Sequence, residues 1–274
     1  MTSLQQRVLT ASLLAPIAIL AVLMLPTLGF AWALGLILLG AAWEWSALAG
    51  LASPAARSGY VALIAAALIL LAYLPGLWLQ PLLLIVSLWW WLVGFQLTRI
   101  EQIPLCSQPQ PAQMLTGLVV LTPPWLALTQ LHALTSSGPA LVLFLLALIW
   151  VADMAAYFSG RRWGSTKLAP VISPVKTWAG VSGAVMGAAV LGLALGFWLH
   201  LSPMASLGSL VLCLATVLTS VVGDLFESLL KRRRGLKDSG RLLPGHGGLL
   251  DRIDSLTAAA PLFVLGLSGL GILS

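Results

Sequence analysis

The sequence predicts an all-α, polytopic integral membrane protein, and three observations carry this prediction. Of its 274 residues, 59% are hydrophobic and 8% are charged, whereas soluble domains average about 25% charged residues. The mean hydropathy is +1.01, so a soluble fold would leave too much apolar surface in water. The apolar residues form long continuous runs, which excludes the alternation of a porin-type barrel, and the low charge excludes disorder.

Apolar runs of bilayer length follow one another along the chain and predict about nine transmembrane helices. A hydrocarbon core about 30 Å thick needs roughly 17–25 apolar residues per spanning helix. We expect a helix boundary at Pro26, with one long kinked helix as the alternative, and a break or bend at Pro123 and Pro124. The expected spans are 8–26, 28–50, 58–75, 78–97, 113–133, 138–158, 179–200, 205–229 and 254–273.

The basic residues predict the orientation of these spans. All 14 Lys and Arg residues fall before the first span or in the connections after the second, fourth, sixth and eighth spans, and the opposite connections carry none. Cytoplasmic loops are the ones enriched in Lys and Arg. We therefore expect a cytoplasmic N-terminus, an external C-terminus and a catalytic site at the cytoplasmic face.

We divide the chain into N-terminal transmembrane helices, 1–112, and a C-terminal catalytic region, 113–274, with cytoplasmic loops 159–178 and 230–253. The first loop combines glycines, hydroxyls and four basic residues, and Ser173, Lys176 and Thr177 directly precede a helix. Basic side chains, hydroxyls and helix N-terminal N–H groups suit a polyphosphate. The alternative is a basic cytoplasmic loop that ends in a helix cap.

The second polar segment begins inside the eighth span. Four of its residues share one helix face by their spacing: Asp224, Glu227, Ser228 and Lys231. Ionisable residues within a span are functional candidates by default, although an intrahelical acid–base pair is the simpler interpretation. Asp251 and Asp254 form a second acidic pair where the last span begins, where either could also cap the helix. His246 lies between the glycines of the connecting loop and is a candidate by this setting.

Acidic residues, basic residues and glycine turns on one membrane face predict phosphoryl or nucleotidyl transfer on a substrate reached from the bilayer. Carboxylates can hold Mg²⁺, whose preferred ligands are carboxylate, water and phosphate oxygens. Basic groups and backbone N–H groups can hold the phosphates. These residues alone do not identify the substrate.

The stretch 228–254 is similar to the signature of the phosphatidate cytidylyltransferase (CDP-diacylglycerol synthase) family. About ten fixed positions in one continuous stretch make a specific pattern. The matching residues are Ser228, Lys231, Arg232, Lys237, Asp238, His246, Gly247, Gly248, Asp251, Arg252, Ile253 and Asp254. The earlier loop resembles the family through Asp153, Ala156, Tyr157, Gly160, Gly164, Lys167, Ser173, Pro174, Lys176 and Thr177. One position departs from the family, because Ala179 stands where Glu or Gln is usual.

This resemblance implies that CTP and phosphatidate react to CDP-diacylglycerol and diphosphate at the bacterial inner membrane. It further implies Mg²⁺, with a second, monovalent cation left open, a homodimer, and no nucleic-acid partner. Asp224 and Asp251 would bind the metal. The implied catalytic set is Asp224, Lys237, Asp238, His246 and Asp251, with Asp254 in support. The implied substrate contacts are Asp153, Lys167, Ser173, Lys176, Thr177, Ser228, Lys231, Arg232 and Arg252.

Other classes of protein share parts of this pattern. An ion-coupled transporter or channel would need polar groups through the full depth of the membrane, whereas the charges here cluster at one face. An isoprenoid-lipid cytidylyltransferase or a polyprenol kinase would share the metal and phosphate chemistry but differ in the lipid groove. CDP-alcohol phosphotransferases are disfavoured because the sequence lacks their run of aspartates at helical spacing.

Overall fold

The fold, seen in a computed structural model, is built almost entirely of helices. The structure describes residues 3–135, 137–240, 242 and 247–272, with side chains from residue 12 onward. These residues form nine α-helices and one two-stranded β-hairpin. The elements are α1 Ser3–Met24, α2 Thr27–Leu48, α3 Pro54–Ala72, α4 Leu79–Leu97, α5 Pro111–His132, α6 Gly138–Trp163, β1 Lys167–Ala169, β2 Ser173–Thr177, α7 Trp178–Trp198, α8 Pro203–Arg233 and α9 Leu250–Gly269. A short 3₁₀ turn, Gly76–Trp78, precedes α4.

The helices coincide with the predicted apolar runs, and the all-α membrane class is confirmed. Seven of the described helices, α2 to α8, are long and apolar enough to cross a membrane by length and composition. Helix α1 contributes the shorter apolar stretch Ser12–Met24. Helix α9 carries Asp251, Arg252 and Asp254 in its first turns and is outside the seven. A total of nine spans therefore remains a prediction.

Local details differ from the sequence-based expectations. The loop 159–178 is not simply a loop, because α6 continues to Trp163 and the antiparallel hairpin follows it. The basic run 231–233 belongs to the last turn of α8 and not to the loop 230–253. The chain breaks at Pro26 as expected, but α5 runs unbroken through Pro123 and Pro124.

The chain folds into two compact units that interleave along the sequence. Unit 1 comprises Met1–Leu79, Pro104–Leu143 and Leu230–Asp254. Helices α2, α3 and α5 form its core. The Trp45 indole donates to the carbonyl oxygen of Gln113 at 2.7 Å, and the Tyr60 hydroxyl donates to that of Met114 at 3.0 Å. Both aromatic side chains lie against Gly117, which has no room for a Cβ atom. A glycine in α5 thus lets the three helices approach closely.

Unit 2 comprises Gln80–Ile103, Phe144–Leu229 and Ser255–Ser274. Small residues let its helices pack closely, which is a common device between membrane helices. The Ser209 hydroxyl of α8 donates to the carbonyl oxygen of Gly192 in α7 at 2.9 Å. A Cβ atom on Gly183 of α7 would collide with Ser159 of α6. The polar end of α6, the hairpin, α7 and the part of α8 up to Leu229 therefore belong to one unit.

Candidate active site

Unit 2 contains a cavity of about 480 Å³ at the hairpin, which we call the polar cavity. Helices α6, α7 and α8 and both hairpin strands line it. Its polar lining residues are Asp153, Tyr157, Arg161, Lys167, Lys176, Thr177, Ser220 and Asp224. Five of these were predicted site residues: Asp153, Lys167, Lys176, Thr177 and Asp224. The fold therefore brings Asp153 and Asp224, which are 71 positions apart in the sequence, to the same cavity.

Lys176 and Asp224 form an ion pair across the polar cavity. The Nζ atom of Lys176 on β2 lies 2.5 Å from Oδ2 of Asp224 on α8, and the two side chains expose 23% and 33% of their surface. The Ser228 hydroxyl, one turn further along α8, donates to Oδ1 of Asp224 at 3.3 Å. Asp224 is thus held from two sides, while both partners remain accessible to a ligand.

Thr177 holds the hairpin to the start of α7. Its hydroxyl oxygen accepts a hydrogen bond from the N–H of Gly180 at 3.1 Å, so Thr177 is the N-cap of α7. Cβ atoms on Gly160 or Gly164 would lie within 3.0 Å of this hydroxyl oxygen, so both glycines leave space for the cap. The helix-cap interpretation of this segment is therefore correct for Thr177. Its predicted contact with substrate stays a prediction.

One face of α6 supplies another part of the cavity wall. Asp153, Tyr157 and Arg161 follow each other at intervals of four residues and line the cavity together. The Arg161 guanidinium donates to the Tyr157 hydroxyl at 3.0 Å. Neither Tyr157 nor Arg161 was among the predicted contacts. Their helical spacing from Asp153 was a signal that could have identified both.

The charges of the polar cavity suit a polyphosphate bound together with a cation. Three cationic side chains, Arg161, Lys167 and Lys176, face two carboxylates, Asp153 and Asp224. Cationic heads bind phosphate oxygens through charge-assisted hydrogen bonds. Carboxylates oppose such binding unless another cation lies between them and the phosphates. The arrangement can therefore accept a nucleoside triphosphate–metal complex.

Unit 1 holds the second group of predicted residues, around the end of α8 and the start of α9. The Nζ atom of Lys231 lies 2.6 Å from Oδ1 of Asp251, and these side chains expose 11% and 6% of their surface. Oδ2 of Asp251 accepts from the backbone N–H groups of Ser239 at 3.0 Å and Gly248 at 2.7 Å. Gly247, directly before Gly248, has a φ of +81°, a backbone conformation that favours glycine. Asp251 thus joins the end of α8 to the start of α9.

Glu44 is a second buried carboxylate in unit 1, and no role was predicted for it. Only 3% of its surface is exposed. It accepts from the Ser239 hydroxyl at 3.0 Å and from the N–H groups of Leu249 at 3.0 Å and Leu250 at 2.8 Å. Glu44 therefore satisfies backbone donors at the N-terminus of α9. An acid inside the apolar sequence of α2 was the available signal.

The remaining predicted residues lie outside these two groups of contacts. Ser173 is buried at the start of β2, and the Arg232 guanidinium donates to the carbonyl oxygen of Leu236 at 3.1 Å. Lys237, Asp238 and Arg252 are exposed. His246 lies outside the described residues. Asp224 and Asp251 belong to different units. Their joint metal site therefore stays a prediction.

Comparison with known proteins extends over nearly the whole chain. Residues 5–268 match the profile of a family described as the cytidylyltransferase family. A phosphatidate cytidylyltransferase of Pseudomonas aeruginosa is 40% identical over 261 residues, which cover 95% of each chain. One from Haemophilus influenzae is 37% identical over 284 aligned positions, covering 95% of this chain and 97% of the relative. One from Brucella suis is 49% identical over 140 residues, 51% of each chain.

These similarities agree with the motifs between Asp153 and Asp254, and they reach well beyond them into the N-terminal helices. The match covers the segments that form the polar cavity as well as the Lys231–Asp251 pair. An enzyme that transfers a nucleotide is therefore confirmed, and the chain belongs to the cytidylyltransferase family.

Proposed function

We propose that this protein is a phosphatidate cytidylyltransferase, which converts CTP and phosphatidate to CDP-diacylglycerol and diphosphate. The observation that carries this proposal is the polar cavity, where Lys167, Lys176 and Arg161 face Asp153 and Asp224 within a bundle of apolar helices. Relatives that carry this name align with 95% of the chain. An enzyme of phospholipid biosynthesis needs such a combination, because its lipid substrate stays in the bilayer while CTP arrives from water.

The reaction forms one phosphorus–oxygen bond and breaks another. An oxygen of the lipid phosphate attacks the α-phosphorus of CTP, and the bond from that phosphorus to the bridging oxygen of the β-phosphate breaks. Diphosphate leaves with the electron pair. The lipid phosphate is already anionic, so no strong general base is required.

The cavity residues position the two phosphate groups. Arg161, Lys167 and Lys176 bind phosphate oxygens and stabilise the charge that builds on the leaving diphosphate. Asp224 holds the Lys176 ammonium at 2.5 Å and fixes its direction. Bringing the reactants together in one orientation removes much of the entropic barrier. The side chains thus act by binding and orientation.

The residues of the cavity also fit Mg²⁺. Among the described residues, no three His, Cys, Asp or Glu side chains form a group that could hold a metal ion. Mg²⁺ does not need such a group, because one or two carboxylates together with substrate phosphates and water complete its coordination. Asp153 and Asp224 line the same cavity as the basic residues. We propose Asp224 as a ligand, with Asp251 as the second ligand that the sequence motif implies. Bound there, Mg²⁺ would supply neutralisation of phosphate charge.

The protein is an integral membrane protein, and we propose the bacterial inner membrane as its location. The one-sided basic residues support a cytoplasmic N-terminus and an external C-terminus. CTP is a cytoplasmic metabolite, so this orientation would give the basic loops access to it. We further propose a homodimer, as the family resemblance implies.

Two labelled forms of CTP test the proposal with the protein purified in detergent. With phosphatidate and Mg²⁺, label in the α-phosphate of CTP should enter the lipid phase, and label in the γ-phosphate should leave as diphosphate. A polyprenol kinase would give the opposite distribution with a polyprenol acceptor. An isoprenoid-lipid cytidylyltransferase would transfer the α-label to an isoprenoid phosphate and not to phosphatidate. Asp224→Asn, prepared in parallel, controls for a contaminating enzyme. Absence of labelled lipid with phosphatidate under every divalent cation would reject the proposal.

A further inference from the structure

A second cavity of unit 2, about 610 Å³ in volume, differs from the polar cavity in its chemistry. We call it the apolar cavity. Helices α4, α7 and α8 and the turn of the hairpin line it, and Trp90, Phe95 and Trp178 are among its lining residues. A cavity of this size is within the range of specific ligand sites. Most of its lining side chains are apolar.

The hydroxyl groups of this lining are already engaged. The Thr98 hydroxyl donates to the carbonyl oxygen of Phe95 at 2.8 Å, and the Thr219 hydroxyl donates to that of Ala215 at 2.8 Å. Both bonds stay within one helix or its end, so neither donor hydrogen is directed to a ligand. Among the described residues, the Trp90 indole N–H is one buried donor of this lining without a hydrogen-bond partner. A strongly polar molecule would therefore replace few of its bonds to water in this space, whereas a hydrocarbon chain has no such bonds to lose.

The apolar cavity adjoins the polar cavity through a common wall. Leu168 on β1, Val181 on α7 and Val221 on α8 line both spaces. A ligand with a phosphate beside Lys176 would therefore have apolar space next to it within the same unit. This adjacency fits an amphipathic molecule whose charged and hydrocarbon parts are joined.

We propose that the apolar cavity receives an acyl chain of the lipid substrate, and that Gly94 sets the room for that chain. This inference rests on the proposed function, because it takes the phosphate of the same lipid to lie in the polar cavity. Gly94 of α4 lines the apolar cavity, and a Cβ atom there would come within 3.0 Å of Cγ2 of Val222 on α8. The missing side chain keeps this part of the cavity open.

Filling the cavity tests the inference. Gly94→Leu should raise the KM for long-chain phosphatidate roughly tenfold, which corresponds to the displacement of about two methylene groups. The KM for a short-chain phosphatidate and the KM for CTP should not change. If Gly94→Leu fails to fold, Val222→Phe replaces it, because this change fills the same space from α8. It should likewise raise the KM for long-chain phosphatidate. Ile85→Phe on α4, at an exposed position outside the cavity, is the matched control and should leave all three values unchanged.

A direct contact measurement separates this inference from the proposed function. Phosphatidate with a photoreactive group near the end of one acyl chain should label peptides of α4, of the hairpin turn, or of the parts of α7 and α8 that line the cavity, whether or not turnover occurs. Gly94→Leu should reduce that labelling. Labelling confined to helices that do not line the cavity, or equal KM changes for long and short chains, would overturn the inference. A changed oligomeric state of Gly94→Leu on size exclusion would assign the cavity to a second copy of the chain instead. If the unchanged protein formed no CDP-diacylglycerol from any phosphatidate, the proposed function itself would be rejected.

Discussion

The Lys231 ammonium lies 2.6 Å from the Asp251 carboxylate, and both side chains are almost completely buried. The same carboxylate also accepts hydrogen bonds from the N–H groups of Ser239 and Gly248. Burial of two charges costs solvation energy, so each partner depends on the other for compensation. Two residues of the family signature, Lys231 and Asp251, therefore form a buried ion pair that contributes to the fold.

Removal of the lysine alone should destabilise the protein. Lys231→Met leaves the buried Asp251 without its cation, and loss of one partner of a buried pair costs about 3–5 kcal/mol. The double variant Lys231→Met, Asp251→Asn removes both charges and should regain much of that stability. Thermal unfolding in detergent measures the difference. Lys237→Met, which changes an exposed lysine, is the control. Unfolding of Lys231→Met at the temperature of the unchanged protein would contradict this prediction.

Glu44→Gln should also lower stability, although it preserves the shape of the side chain. Oε1 of Glu44 accepts from the Leu249 N–H, and Oε2 accepts from the Leu250 N–H and the Ser239 hydroxyl. Either orientation of a glutamine amide therefore places its NH₂ group against a donor. We expect a cost of about 1–3 kcal/mol.

The control for this change is Glu101→Gln, at an exposed position outside the helices. Limited proteolysis complements thermal unfolding, because a loosened α9 start would expose the chain near Leu249. Equal stability and equal cleavage of the two variants would show that the Glu44 hydrogen bonds contribute nothing.

The positions of the helices could be predicted from the sequence, because the bilayer restricts the length and composition of a spanning helix. The predicted runs 28–50 and 179–200 differ from α2 and α7 by no more than two residues at either end. The boundary at Pro26 followed from the geometry of proline. The break expected at Pro123 and Pro124 is absent, because a membrane helix can continue through a proline when neighbouring groups satisfy the released carbonyls.

The partners within the sites were less predictable. The residues of the polar cavity were recognisable by type, but the hairpin that turns Lys176 toward Asp224 was not predicted. Its strands have three and five residues, which is too short for a periodic signal. Glu44 stood out as an acid in an apolar helix, yet its partner Ser239 is 195 positions away. Only the tertiary fold reveals such contacts.

Lys176→Ala should weaken the binding of CTP more than that of the lipid. Lys176 is the cation closest to Asp224 and lies in the cavity with Arg161 and Lys167. Loss of its charge should raise the KM for CTP by a larger factor than the KM for phosphatidate, and diphosphate should inhibit less. Steady-state kinetics with each substrate varied in turn give the two values. A change confined to the KM for phosphatidate would assign Lys176 to the lipid headgroup.

Thiol labelling should place the C-terminus and the connection that contains Cys106 on opposite sides of the membrane. A cysteine introduced by Ser274→Cys should react with a membrane-impermeant reagent on intact cells, whereas Cys106 should react only after permeabilisation. Cys213 is buried in α8 and should stay unlabelled in both conditions. We expect opposite labelling of the introduced cysteine and Cys106 because all Lys and Arg residues lie before the first span or in alternate connections between the spans. Labelling of Cys106 but not of the new cysteine in intact cells would reverse the orientation.

Neutralisation of either proposed metal carboxylate should abolish turnover, and Asp224→Asn should do so without unfolding the protein. Asp251→Asn also removes the partner of the buried Lys231, so it should lower stability as well. Asp224 exposes 33% of its side chain, so Asp224→Asn should insert and fold normally. Asparagine keeps the shape but loses the charge that attracts Mg²⁺, and excess Mg²⁺ should restore little activity. Asp251→Asn should be equally inactive, and Asp254→Asn should be affected less if Asp254 only supports the site. Turnover across a Mg²⁺ titration, with size-exclusion profiles to verify folding, makes the comparison. Near-normal turnover of Asp251→Asn at ordinary Mg²⁺ would limit Asp251 to its contacts with Lys231, Ser239 and Gly248, and the metal ligands would then have to be sought around Asp153 and Asp224.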